Sequence, residues 1–118
     1  MDTKKAILVY QYSERIKSEL IIASGLVSIM ETLDGKELNG AEKLMKSFLE
    51  ALIGEIRIEQ HIDKSMNFIG AEKKIREAIG YMMLHEYTEI NRCISDALSL
   101  ITTSCQRAME ILINEHLI

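Results

Sequence analysis

The chain has 118 residues, a length typical of one domain, so we expect a single helical domain covering residues 1–118. It has no proline or tryptophan, six glycines and only 5% aromatic residues, a composition that excludes an all-β sandwich or barrel. The net charge of -4, with fourteen basic residues spread along the chain, argues against nucleic-acid binding, which requires a concentrated positive surface.

The first predicted element is a long helix that ends near residue 33. Apolar residues recur every three or four positions over residues 9–33, which places them on one side of a helix. Gly35 predicts the end of this helix, because glycine readily takes the left-handed conformation that closes one. Its start stays open, since Asp2, Thr3 or Ser13 could each cap the first turn.

The second predicted helix begins near Asn39 and continues to Ile62. Asn39 is a common helix-capping residue, and Glu42 follows at the position that completes a capping box. Apolar residues then recur at helical spacing over residues 41–62.

The third predicted helix begins near Gly70, and the fourth runs from Tyr87 to Leu112 on a seven-residue apolar repeat. The boundary between them is open, because neither proline nor glycine occurs between Tyr81 and the carboxyl terminus. One helix over residues 70–117 is therefore an alternative to two.

Together these elements predict an all-α, mostly antiparallel four-helix bundle, with a five-helix bundle as the alternative. A 28-residue helix is about 42 Å long, so its apolar side exceeds what one small domain readily buries. We therefore expect a homodimer, with the fourth helix contributing a seam like that of a coiled coil.

The amino-terminal apolar run, Ala6 to Tyr10, is too short for a signal peptide or a membrane span, which needs about 20 apolar residues. We therefore expect a cytoplasmic protein that does not contact a membrane. The sequence also lacks the glycine-rich phosphate-binding motifs of nucleotide-binding proteins.

The acidic residues include two pairs with helical spacing. Glu55 and Glu59 are four residues apart in the second predicted helix, and Glu86 and Glu89 are three apart near the start of the fourth. Each pair projects two carboxylates from nearly one face of a helix. Two such faces brought together would form an oxygen cage suited to Mg²⁺.

These pairs resemble in part the metal-binding motifs of the MazG-type all-α nucleoside-triphosphate pyrophosphohydrolases. In that family, Glu-x-x-Glu on one helix and Glu-x-x-Asp on the next hold magnesium against the phosphates of the substrate. Here Glu55 and Glu59 are separated by one extra residue, and Glu89 stands where the family has aspartate. The resemblance implies a magnesium-dependent enzyme, whereas the residues alone favour a solvated helix face.

Two functions from different classes follow. The favoured hypothesis is a non-enzymatic helical module without a cofactor that associates with itself or with another protein through exposed apolar residues. The alternative is the magnesium-dependent pyrophosphohydrolase, which requires the carboxylates of both acidic pairs to converge on one metal site.

Overall fold

A computed structural model describes residues 1–118 and contains four α-helices and no strands. The helices are α1 (Thr3–Met30), α2 (Gly35–Ile62), α3 (Met66–Met83) and α4 (Tyr87–Asn114). The predicted all-α bundle is therefore confirmed, with four helices rather than five. None of these helices has the length and apolar content needed to span a membrane.

The four helices form a ring in which each contacts two others. α4 packs against α1 and α3, and α2 packs less closely against the same two helices, whereas the backbones of the diagonal pairs do not approach closely. The helices α1, α3 and α4 all bury alanines, which permit close approach, but α2 buries no alanine. The large side chains on the buried side of α2 hold it further from its neighbours.

The first helix begins at Thr3 because Asp2 caps it, with Oδ1 accepting a hydrogen bond from the Lys5 N–H at 2.7 Å. It ends at Met30, earlier than residue 33, where the prediction placed its end. The apolar spacing continues past the helix because Leu33 lies half-buried in the following turn. Gly35 has the predicted left-handed φ of 54°, but it is the first residue of α2 and does not close α1, whose C-cap is Glu31.

The predicted capping position at Asn39 is wrong, because α2 already begins at Gly35. Leu38, one residue before the predicted cap, packs against the core, which extends the helix toward the amino terminus. The third helix also begins earlier than predicted. Its first turn is capped by Ser65, whose Oγ accepts a hydrogen bond from the Asn67 N–H at 3.1 Å.

The helices α3 and α4 are separate, so the alternative of one helix over residues 70–117 is wrong. His85 has a left-handed φ of 57° and ends α3. The Glu86 N–H bonds to the Tyr81 carbonyl and the His85 N–H to the Met82 carbonyl, both at 3.1 Å. This is the Schellman closure, in which glycine usually takes the left-handed position. Because histidine occupies that position, the sequence has no glycine to mark the end of α3.

His116 ends α4 in the same manner, with a φ of 58°, and the two histidines make a matched pair. We expect His116→Gly to raise the free energy of unfolding by about 0.5 to 1 kcal/mol, because glycine relieves the left-handed strain. His85→Gly should gain less, since it also removes the 2.9 Å hydrogen bond between Nδ1 and Glu42. Urea unfolding of both variants checks this, and equal gains would contradict it.

The seven-residue repeat of α4 lies inside the bundle of one chain. Seven of its positions are buried and three, Tyr87, Leu98 and Ile111, are half-buried, because α4 sits between α1 and α3. The seam expected on the fourth helix is therefore not available to a second chain, which corrects that part of the dimer prediction. The buried positions are Ile90, Ile94, Ala97, Ile101, Cys105, Ala108 and Leu112.

Candidate functional site

The four predicted carboxylates do not come together. Glu55 and Glu59 lie one turn apart on α2, while Glu86 occupies the N-cap position of α4 without a side-chain capping bond and Glu89 lies in the first turn. The beginning of α4 contacts α2 at Glu42, which is about 20 Å from Glu55 along the helix axis. No group of three or more His, Cys, Asp or Glu side chains is arranged to hold a metal ion.

Glu55 belongs to an ionic cluster between α1 and α2. Arg15 donates from Nη2 to Glu55 Oε1 at 2.7 Å and from Nε to Glu19 Oε1 at 3.1 Å. Burial and the neighbouring Glu19 carboxyl raise the pKa of Glu55. Its Oε2 is buried without a hydrogen-bond partner. The cluster therefore ties α1 to α2 through one arginine and two carboxyl groups.

Glu59 is fully buried in the core. Its Oε1 accepts a hydrogen bond of 2.9 Å from Ser13 Oγ on α1. Burial raises the pKa of Glu59 to about 8, and the hydrogen bond from Ser13 opposes this increase only in part. The carboxyl group is therefore mostly protonated at neutral pH, which makes it a poor ligand for a cation.

Two further polar contacts join α4 to its neighbours. Cys105 donates to Glu14 Oε1 at 3.2 Å, and Asn67 Nδ2 donates to Ser104 Oγ at 3.0 Å. Burial, together with the Glu14 hydrogen bond, raises the pKa of Cys105 to about 12, so its thiol stays protonated and unreactive. These contacts join α1 to α4 and α3 to α4, so the polar groups here connect helices.

Glu42 makes the corresponding connection near the beginning of α2. Its Oε2 accepts a 2.8 Å hydrogen bond from the Tyr87 hydroxyl and lies 2.9 Å from His85 Nδ1. Burial and the Glu42 hydrogen bond raise the pKa of Tyr87 to about 12. The three side chains hold the α3–α4 turn against α2.

The last eleven residues of α1, Leu20 to Met30, are uncharged on all sides. No charged residue occurs between Glu19 and Glu31. Its inner positions are buried, but Ile21, Ile22 and Ile29 on the opposite side are 59%, 54% and 57% exposed. A helix that is apolar all round is normally buried on all sides. We call this surface the outer face of α1, and it comprises Ser18, Ile21, Ile22, Gly25, Ser28, Ile29 and Thr32.

An apolar groove between α1 and α2 adjoins this face. Its cavity has a volume of about 270 Å³ and is lined only by apolar side chains. Leu44 on its α2 side is 76% exposed. We call it the α1–α2 groove, and its lining includes Leu26, Ile29, Leu33, Ala41, Leu44 and Phe48. The apolar spacing in the sequence predicts an excess of apolar surface but places it on the fourth helix.

The outer face of α1 differs from the polar clusters because nothing in the chain covers it. The groups around Glu59, Glu42 and Arg15 all have hydrogen-bond or ion-pair partners on neighbouring helices. The exposed isoleucines therefore mark the strongest candidate for a functional surface. No protein-family model, curated protein or solved structure matches this chain.

Proposed function

We propose that this protein is a non-enzymatic self-association module that forms a homodimer through the outer face of α1 and the α1–α2 groove. The observation that carries the proposal is the segment from Leu20 to Met30, which is uncharged on every side although half of it faces solvent. Large uncharged surfaces of this kind mark contacts with other macromolecules.

The expected energies support association through apolar burial. Covering the exposed half of an isoleucine or leucine contributes about 1 kcal/mol. Five exposed side chains of this kind lie on the face or along the groove of each subunit, and association costs about 4 to 15 kcal/mol. Burial of both subunits is thus of the order needed to hold a dimer. The five are Ile21, Ile22, Leu26, Ile29 and Leu44.

We include in the proposal the mostly antiparallel arrangement of helices and a cytoplasmic location. In support of the first, Lys5 pairs with Asp63 and Arg15 with Glu55, so residue numbers rise along α1 as they fall along α2. In support of the second, both cysteines are free thiols, the usual state in a reducing compartment.

The self-association is tested by placing a charge on the outer face. We expect the wild type to sediment as a dimer at micromolar concentration, and Ile22→Lys to sediment as a monomer because the lysine must be desolvated at the contact. Ile69→Lys is the matched control, since Ile69 is 46% exposed on α3, which does not contact α1.

The control should remain dimeric, and both variants should keep the helical circular-dichroism spectrum of the wild type. A wild type that stays monomeric over the whole micromolar range would contradict the proposal. So would equal dissociation of the Ile22→Lys and Ile69→Lys variants, because the contact would then not be specific to the outer face of α1.

A further inference from the structure

We infer that the surface covering the outer face of α1 is the same face of a second copy, oriented antiparallel, with the two-fold axis passing beside Gly25. This inference rests on the proposed self-association and adds the partner surface, orientation and register. In such an isologous contact, each residue before Gly25 meets a residue equally far after it on the other subunit.

Small residues recur on the outer face at a spacing that suits close helix contact. Ser18 and Gly25 are seven residues apart and therefore lie along nearly one line on α1, and Thr32 follows at the same spacing in the turn after the helix. Gly25 is at the midpoint, and a Cβ atom added there would have no other atom of the chain within 4 Å. The open space above Gly25 leaves room for the backbone of a second helix.

The sizes of the flanking side chains match under the two-fold operation. With Gly25 on the axis, Ile21 lies opposite Ile29 of the partner subunit, and Ile22 lies opposite Ser28 of the partner subunit. Ile22 therefore lies level with a small residue of the partner helix, which leaves space for its side chain. A two-fold axis repeats each contact with the two subunits exchanged, so the outer face of α1 is complementary to itself.

The charges at the two ends of the outer face distinguish the antiparallel from the parallel orientation. Arg15 uses Nε and Nη2 within its own chain, leaving Nη1 without a partner on a side chain that is 64% exposed. Asp34, whose carboxylate caps no N–H group of α2, lies nearly as far after Gly25 as Arg15 lies before it. An antiparallel pair brings Arg15 near Asp34 of the partner subunit, whereas a parallel pair would oppose like charges.

Cysteine cross-linking of the full chain tests the orientation and register. The native thiols of Cys93 and Cys105 are 4% and 1% exposed, so the wild type gives the background level. Gly25→Cys should be converted mostly to a covalent dimer by a mild oxidant, because a disulfide forms when two Cα atoms lie within about 7 Å.

Cysteines placed at the two ends of the face separate the possible orientations. Ser18→Cys alone should stay at background, since the two Ser18 positions are about 21 Å apart in the antiparallel pair. Thr32→Cys alone should also stay at background. An equal mixture of these two variants, after subunit exchange, should give the covalent heterodimer detected by mass spectrometry.

The outcomes separate this inference from the proposed function. Self-cross-linking of Ser18→Cys would overturn the antiparallel orientation and establish a parallel one. A wild type that is dimeric, that dissociates on Ile22→Lys and that gives no cross-linking of any variant would overturn the orientation and register while leaving the proposed function intact. A monomeric wild type would overturn both.

Discussion

Replacing Glu59 with glutamine should stabilise the protein, and the gain should increase between about pH 5 and about pH 8. Burial raises the pKa of this carboxyl group from 4.5 to about 8 in the folded chain. Between these values the folded state holds a proton that the unfolded state has released, so the free energy of unfolding falls as pH rises. At pH 7 the free energy of unfolding is therefore lower by roughly 3 kcal/mol than it would be with a neutral side chain at this position.

Well below pH 4.5 the Glu59 carboxyl is protonated in both the folded and the unfolded state, so it does not lower the free energy of unfolding. Above about pH 8 it is ionised in both states, and the destabilisation no longer changes with pH. Glutamine removes this dependence and keeps an oxygen that accepts the Ser13 hydrogen bond. The other groups that influence Glu59 do not reverse the sign: the Asp63 charge raises its pKa further, and the Cys105 thiol stays neutral.

Urea unfolding across this pH range, with Glu50→Gln as the control, measures the effect. Glu50 is exposed on the same helix, so its replacement should change the free energy of unfolding by less than about 0.5 kcal/mol at every pH. A pH-independent difference between Glu59→Gln and the wild type would show that Glu59 does not hold its proton in the folded state.

The sequence predicted the helical class and the four apolar stripes because helix periodicity depends on side-chain spacing alone. It did not predict the helix ends at His85 and His116, where tertiary packing holds histidine in a conformation that usually marks glycine. It also missed the start of α2, because Leu38 extends that helix by packing against the core. The ends of a helix depend on its contacts with other helices, and the apolar spacing within one segment does not predict those contacts.

The candidate site was predictable only in part. Spacing placed Glu55 and Glu59 on one side of α2, but residues four apart differ by about 40° around the helix. That angle separates the half-exposed Glu55 at the α1–α2 boundary from Glu59 inside the core. The distance to Glu86 and Glu89 depends on how α3 and the turns lie, and no local pattern fixes that distance.

The sequence predicted an excess of exposed apolar residues, but it did not predict which helix has them. A regular seven-residue repeat on α4 resembles a coiled-coil seam, yet the repeat packs against α1 and α3 of the same chain. On α1 the inner and outer apolar positions overlap in the sequence between Leu20 and Met30. Only the packing of the other three helices shows which of these α1 positions face solvent.

A charge at Ile101 should therefore unfold the chain, whereas the Ile22→Lys change should only dissociate it. Ile101 is fully buried near the middle of α4. Ile101→Asp loses about 1.5 to 3 kcal/mol of side-chain burial and adds the cost of an unpaired buried charge, for a total above about 4 kcal/mol. That loss is comparable to the whole stability of a small domain, about 5 to 15 kcal/mol.

Circular dichroism and thermal unfolding should show loss of the cooperative transition in Ile101→Asp and in Ile94→Asp, since Ile94 is only 1% exposed. Lys73→Asp is the control, because Lys73 lies exposed on α3 and its replacement should change stability by less than about 0.5 kcal/mol. If Ile101→Asp instead kept the wild-type melting temperature and became monomeric, α4 rather than α1 would form the contact between subunits. Because Ile101 is inaccessible and Ile22 is half-exposed, the two charged variants should separate folding from association in one chain.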